Sequence, residues 1–227
     1  MISIDKNIAR TTAKLLLEIN AVHFNSIKPF TLTSGLKSPV YIDCRKLISY
    51  PKARGILINF CCEIIIKKIG LNKIESLVGG ETAGIPFASF LAYQLKLPMH
   101  YVRKKPKGFG VNAHIEGDNI KGKKVILIED LTTDGGSKIK FCDSIRKAGA
   151  KVEDAIVLFY YNIYDDVIKK LNNSGINLFY LACWWDILDY CKEKKSIINV
   201  ETVDQIEEFL NSPKAVSYTH LTLPTKA

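Results

Sequence analysis

The chain has 227 residues, 47% apolar and 24% charged, with 32 basic against 23 acidic side chains and a formal net charge of +9. That length suits one domain with a sizeable core, and the composition excludes a disordered or collagen-like chain. The positive balance favours anionic ligands without choosing among small anions, nucleic acid and membrane surfaces.

In chain order, Ile8, Leu15, Leu16 and Ile19 fall at helical spacing and predict a helix over residues 5–20. The stretch FTLTSGLKSPVYIDCRKL mixes turn residues with a short alternating strand at Val40 to Cys44. A helix opens at Pro51 and closes at Gly70. SLVGG, residues 76–80, is a short buried strand, and AGIPFASFLAYQLK a helix with Pro86 in its first turn. MHYVRKK predicts a strand over 99–105, followed by a long loop over 106–123. KVILIED then gives a strand over 124–130, GSKIKFCDSIRKAGA a helix, and VEDAIVLFYY a strand. Helix, strand and helix follow in DDVIKKLNNSG, INLFYLAC and WWDILDYCKEKK, and VETVDQIEEFLNS is helix-like. Alternation of this kind requires crossover connections, so the fold class is α/β, with a mainly parallel sheet flanked by helices. The first 45 or so residues stand outside the alternation and are expected to form a small hood over the sheet.

The longest apolar segment, GILINFCCEIIIKKIG, is interrupted by Asn59 and Glu63 and is too short to span a bilayer. The six cysteines form no C-x-x-C pair, and MISIDKNIAR has no apolar leader core. A cytoplasmic protein with reduced thiols is expected, with no membrane and no nucleic-acid partner, since no basic–aromatic pattern is present. The final VSYTHLTLPTKA carries no apolar periodicity and resembles a translated adapter. Residues 1–212 are therefore expected to form a single domain, and 213–227 a non-native or disordered tail.

The most informative stretch is VILIEDLTTDGGSK, residues 125–138. A buried strand runs into two adjacent acids, Glu129 and Asp130, and then into Leu131, Thr132, Thr133, Asp134, Gly135, Gly136 and Ser137. Hydroxyls and backbone N–H groups at a helix N-terminus make a cradle for a phosphate. Acids beside such a cradle would repel the phosphate unless they bind something else, and the vicinal hydroxyls of a ribose suit them. A ribose 5-phosphate satisfies both halves of the stretch. It is neither a Walker loop nor a dinucleotide fingerprint.

Residues 125–137 resemble the phosphoribosyl diphosphate signature of the type I phosphoribosyltransferases. Three further segments resemble orotate phosphoribosyltransferases in particular: FTLTSGLKSPVYID (30–43), the diphosphate turn VGGETAGIPFA (78–88) and the basic flexible loop YVRKKPKGFG (101–110). The resemblance implies the type I phosphoribosyltransferase fold, phosphoribosyl diphosphate and orotate as substrates, and Mg²⁺ held mainly through diphosphate and ribose. It also implies a homodimer in which the flexible loop of one subunit reaches its partner's active site. Carried over by position, Arg103, Lys104 and Lys107 match diphosphate-binding cations, and Glu129 to Ser137 match the ribose 5-phosphate segment. Thr133 also matches a contact to orotate. Lys107, Glu129 and Asp130 are the expected catalytic residues. Thr33, Ser34 and Gly35 of the hood segment, Thr82 and Ala83 of the diphosphate turn, and His114 are secondary candidates.

The chain departs from the family pattern at four places. Thr33 and Ala83 stand where lysines are common, and Phe109 replaces a histidine for which His114 could substitute. Residues 156–162 hold no arginine, where members often supply one to the orotate carboxylate. Lys37 and Arg45 are the cations available instead. Another purine or pyrimidine base, or an RNA-binding regulator on the same fold, are the alternatives that this leaves open.

Overall fold

The computed structural model describes residues 5–25, 28–32, 35, 37–105, 114–194 and 198–213. The expected tail beyond 213, Thr33, Ser34, and residues 106–113 with Lys107 and Phe109 lie outside the described residues.

The core is a six-stranded sheet made of β5 (Ser76–Gly80), β6 (Met99–Val102), β7 (Ile115–Glu116), β8 (Lys124–Thr132), β9 (Lys151–Tyr160) and β10 (Asn177–Cys183). In space the order is β10-β9-β8-β5-β6-β7. All neighbours are parallel except β7, which lies antiparallel to β6. Strand β8 shows why a central parallel strand reads as an unbroken apolar run. Ile126 and Ile128 enter one buried cluster with Leu57 of α2 (Pro51–Ile64) and Phe87 and Leu91 of α3 (Gly84–Leu95). Val125 and Leu127 enter the opposite cluster, with Phe141 and Ile145 of α4 (Gly136–Lys147) and Leu171 of α5 (Val167–Asn173). The two-residue period of a strand thus divides one apolar run between two cores.

Helix α1 (Lys6–Glu18) packs on β10 and on α6 (Trp184–Glu193), and α7 (Val200–Asn211) packs on α6. The hood consists of two antiparallel ribbons, β1 (Val22–Phe24) with β4 (Val40–Ile42) and β2 (Phe30–Thr31) with β3 (Lys37–Ser38). An aromatic cluster joins hood to sheet: the Trp184 ring lies edge-on to Phe24 of β1 at 6.4 Å and to Phe159 of β9 at 5.3 Å. Trp184 is fully buried, while Trp185 donates to the Asn162 carbonyl at 3.0 Å.

Four local expectations change. The strand predicted over 99–105 ends at Val102, where the chain leaves the sheet. Strand β8 runs two residues past the acid pair, because Leu131 and Thr132 still pair with Phe159 and Tyr160. The predicted long loop contains β7. The second helix stops being α-helical at Ile64; a π-helical turn, Ile65–Ile69, follows, and the Gly70 N–H closes it on the Ile65 carbonyl at 2.8 Å.

Strands β5 and β8 are neighbours whose following helices, α3 and α4, cover opposite faces of the sheet. Their C-terminal loops therefore diverge and open a crevice at a topological switch point, where open α/β sheets bind ligands.

Candidate active site

The crevice holds two adjoining cavities. One, of about 640 Å³, lies under the hood and is walled by Thr31, Tyr41, Asp43 and Arg45 above and by Thr82, Ala83, Glu129, Asp130, Thr133 and Tyr161 below. The other, of about 510 Å³, is walled by Thr132 to Asp134, Gly136, Ser137 and Lys140, with Arg103 and Lys104 at its rim. Lys104, Leu131, Thr133, Ser137, Lys138 and Phe141 line both. Most of the positions named from the sequence are thus brought together. Gly35, Gly135 and His114 are not in either wall among the described residues; Gly135 serves the backbone instead, with φ +76° at the start of α4.

Adjacent residues on a strand point to opposite faces, and the acid pair follows this rule. Glu129 continues the alternation of Val125 and Leu127 toward α4, where its Oε2 accepts from Lys138 Nζ at 2.7 Å. Asp130 turns to the hood side, where Arg45 and Cys44 are its electrostatic neighbours, and its Oδ1 accepts from the Leu131 N–H at 2.8 Å. Burial pushes both carboxyls upward, and the Lys138 ammonium is the main influence drawing each back down.

Two glycines of VGGETAG, Gly80 and Gly84, are explained by the proximity of Glu129, and Gly79 by the backbone of Gly84 and Ile85. A Cβ on Gly80 would lie 2.5 Å from Glu129 Oε1 and 2.8 Å from the Phe141 ring. The backbone at the end of β5 therefore rests directly against the buried carboxylate. The turn that follows contains a cis peptide between Glu81 and Thr82, and the Glu81 carboxylate accepts from the Lys104 N–H at 2.7 Å.

In the hydroxyl–glycine loop, Asp134 Oδ1 accepts from the Gly136 N–H at 3.1 Å, and the Asp134 carbonyl accepts from Lys170 Nζ at 3.3 Å. Thr132 is buried beneath the loop and still belongs to the sheet: its carbonyl accepts from the Tyr161 N–H at 3.0 Å, while its buried hydroxyl has no hydrogen-bond partner among the described residues. The first turn of α4, Thr133 and the nearby Lys140, Arg103 and Lys104 give this cavity the character of an anion site. Arg103 is anchored at the end of β6, with its guanidinium 3.2 Å from Glu116 and its backbone N–H on the His114 carbonyl at 2.8 Å.

Sequence reasoning missed Lys138, which is 3% exposed. The signal was there: Lys138, Phe141, Cys142 and Ile145 form the buried i, i+3, i+4, i+7 stripe of α4. A lysine heading such a stripe is either exposed at its edge or paired beneath it. The cation question also narrows. Arg45 stands in the hood cavity, with Nε on Asp43 at 2.8 Å and Nη2 on the Tyr41 hydroxyl at 3.1 Å. Lys37 is not in that wall, and its Nζ is bound to Thr31 Oγ1 at 2.7 Å.

No group of three or more metal-ligating side chains occurs among the described residues. A magnesium ion in this crevice would therefore be held mainly by water and by phosphate oxygens of a ligand. No helix among the described residues is long and apolar enough to cross a membrane.

Known proteins place this architecture. A family model described as a phosphoribosyl transferase domain matches residues 52–184. An orotate phosphoribosyltransferase from Ruegeria sp. (strain TM1040) is 50% identical over 210 residues, covering 92% of each chain. The crystal structure of orotate phosphoribosyltransferase from Aeropyrum pernix superposes with a TM-score of 0.69 at 31% identity, over 82% of this chain and 99% of that one. The UMP synthase of Leishmania donovani superposes with a TM-score of 0.75 at 27% identity over 88% of this chain, which spans 42% of the longer synthase. Half of the residues are shared with a relative of equal extent, and the acid pair, the glycine turn and the hood meet at one switch-point crevice. The chain belongs to the orotate phosphoribosyltransferase family.

Proposed function

We propose that the protein transfers the 5-phosphoribosyl group of phosphoribosyl diphosphate to N1 of orotate, releasing diphosphate and forming orotidine 5′-phosphate for pyrimidine biosynthesis. One observation carries the assignment of sites: the acid pair lies between a loop suited to phosphate and a hood cavity that holds a guanidinium. Phosphate, ribose and an anionic base can therefore occupy one continuous crevice.

Thr133 to Ser137 would hold the 5-phosphate, and Glu129 and Asp130 would accept from the ribose hydroxyls. Departure of diphosphate leads the reaction and leaves an oxocarbenium-like C1′, which the base attacks from the opposite side with inversion. Two carboxylates beneath the ring suit that positive charge. No protein nucleophile is required. Lys104, Arg103 and the turn at Thr82 and Ala83 would face the leaving diphosphate, and Lys107 would add a further cation to it. Magnesium, when bound, neutralises charge on the departing diphosphate.

Arg45 is the cation we assign to the orotate carboxylate, in place of the strand arginine absent from 156–162. Its fork is already oriented by Asp43 and Tyr41, and a planar guanidinium matches a planar carboxylate. For assembly as a homodimer, which we also propose, the exposed side of α3 is a candidate surface. There Tyr93 of α3 is 88% exposed, a large apolar group that a partner would cover.

The test is diphosphate release from phosphoribosyl diphosphate and Mg²⁺. Release that requires orotate supports the reading. Release that requires a different base, or none at all with any base, would refute it.

A further inference from the structure

We infer that Lys138 is a positioning residue whose buried ammonium fixes Glu129 as an ionised acceptor for the ribose hydroxyls. The inference rests on the ribose role proposed above for Glu129.

The geometry is specific. Lys138 Nζ lies 2.7 Å from Glu129 Oε2 and 3.1 Å from Ser137 Oγ, and the two charged side chains are only 4% and 8% exposed. Nothing about α4 itself calls for a cation there. Lys138 is the third residue of the helix, where positive charge opposes the helix dipole. Phe141, Cys142 and Ile145 continue its stripe as apolar groups, so leucine or methionine would pack at 138 without desolvating a charge. A buried ion pair is seldom more stable than such an apolar replacement. The charge therefore serves the carboxylate rather than the fold.

The opposite side of the carboxylate is equally confined. Cβ atoms added at Gly80 or Gly84 would fall 2.5 Å and 2.7 Å from Glu129 Oε1. Turn and ammonium together hold the carboxylate in one place between the two cavities.

The surrounding charges agree. Burial is the largest influence raising the Glu129 carboxyl, and Asp130 of β8 raises it further. Lys138 of α4 lowers it most, and Lys104 beyond β6 lowers it less. From the turn after β5, Glu81 faces the same cavity, and from the hood Arg45 and Asp43 do so. Without Lys138, desolvation would act on Glu129 with little opposition, and a protonated carboxyl would no longer be an acceptor for both ribose hydroxyls.

The test follows Glu129 directly, by carboxyl ¹³C NMR on substrate-free protein carrying labelled glutamate, with Glu129→Gln to assign the signal. Wild type is compared with Lys138→Met, and kcat/KM for phosphoribosyl diphosphate is measured over the same pH range. In the variant, the Glu129 titration and the acid limb of kcat/KM should both move to higher pH. At neutral pH the rate constant should fall by about tenfold for each pH unit that the titration moves above neutrality, and recover as the pH rises. A titration unchanged from wild type, or a loss of equal size at every pH, would overturn the inference. Should Lys138→Met fail to fold, Lys138→Gln, which keeps a donor but no charge, takes its place with the same two outcomes. Wild-type protein that transfers phosphoribosyl to no base would overturn the ribose role itself, whatever the titration shows, so the two failures are told apart.

Discussion

A methyl group on Gly84 would enter space that β8 already fills. Its Cβ would strike the Ile128 carbonyl oxygen and lie 2.7 Å from Glu129 Oε1 and 3.2 Å from Glu129 Cα. The first and last of these are backbone atoms of a central strand paired on both sides, so no rotamer change can relieve them. Overpacking of this kind costs about 1–3 kcal/mol. For a chain of this size, that lowers the melting temperature by about 2–12 °C. The effect on activity should be larger. The start of α3 and Glu129 must separate, and a displacement of about 1 Å at a reacting centre can cost on the order of a hundredfold in rate. Gly55→Ala is the matched control: it lies in the α2 interior with nothing within 4 Å of an added Cβ. It should stabilise the protein by about 0.5–1 kcal/mol and leave turnover untouched. Thermal melts and steady-state kinetics on the three proteins decide the matter. Gly84→Ala with wild-type kcat/KM would refute the close-approach reasoning, even if its melting temperature fell as expected.

Three further outcomes can be checked with simple assays. Lys107→Ala should lose about 3 kcal/mol of transition-state stabilisation, a hundredfold or more in kcat, with an unchanged urea midpoint; a wild-type kcat would remove Lys107 from the chemistry. Arg45→Ala should raise KM for orotate by about tenfold to a hundredfold while KM for phosphoribosyl diphosphate stays put, as expected when a charged hydrogen bond worth about 1.5–3 kcal/mol is lost. Equal rises for both substrates would place Arg45 in the hood's structure instead. All six cysteines are buried, and burial pushes the Cys142 and Cys183 thiols up to about 12. A thiol reagent at neutral pH should therefore label none of them until urea unfolds the chain; rapid labelling of native protein would contradict the packing.

What the sequence could disclose depended on how local its causes were. Strand β8 and the acid pair were legible because a strand buried on both faces reads as an apolar run, and because carboxylates are conspicuous at its end. The end of that strand was not, since Thr132 resembles the loop that follows and stays in the sheet only through its pairing with Tyr160. Likewise, β7 is two residues long and exists only by pairing with β6, a contact no local pattern announces. The glycines of VGGETAG could be read as a turn, but the reason for Gly80 and Gly84 is tertiary: Glu129 presses against both, with Phe141 against Gly80 and the Ile128 carbonyl against Gly84. Lys138 was passed over because the recognisable motif ends one residue earlier, and a lysine is usually read as solvent-facing. Arg45 and Lys37 could be separated only by three-dimensional placement, since both are hood cations in the sequence.

The central claim is most directly tested by incubating the protein with phosphoribosyl diphosphate and Mg²⁺ beside orotate, uracil, hypoxanthine and xanthine in parallel. Consumption of each base should be followed together with diphosphate formation. Orotate alone should be consumed, one equivalent per diphosphate released. Consumption of another base in its place, or of none, would contradict that claim.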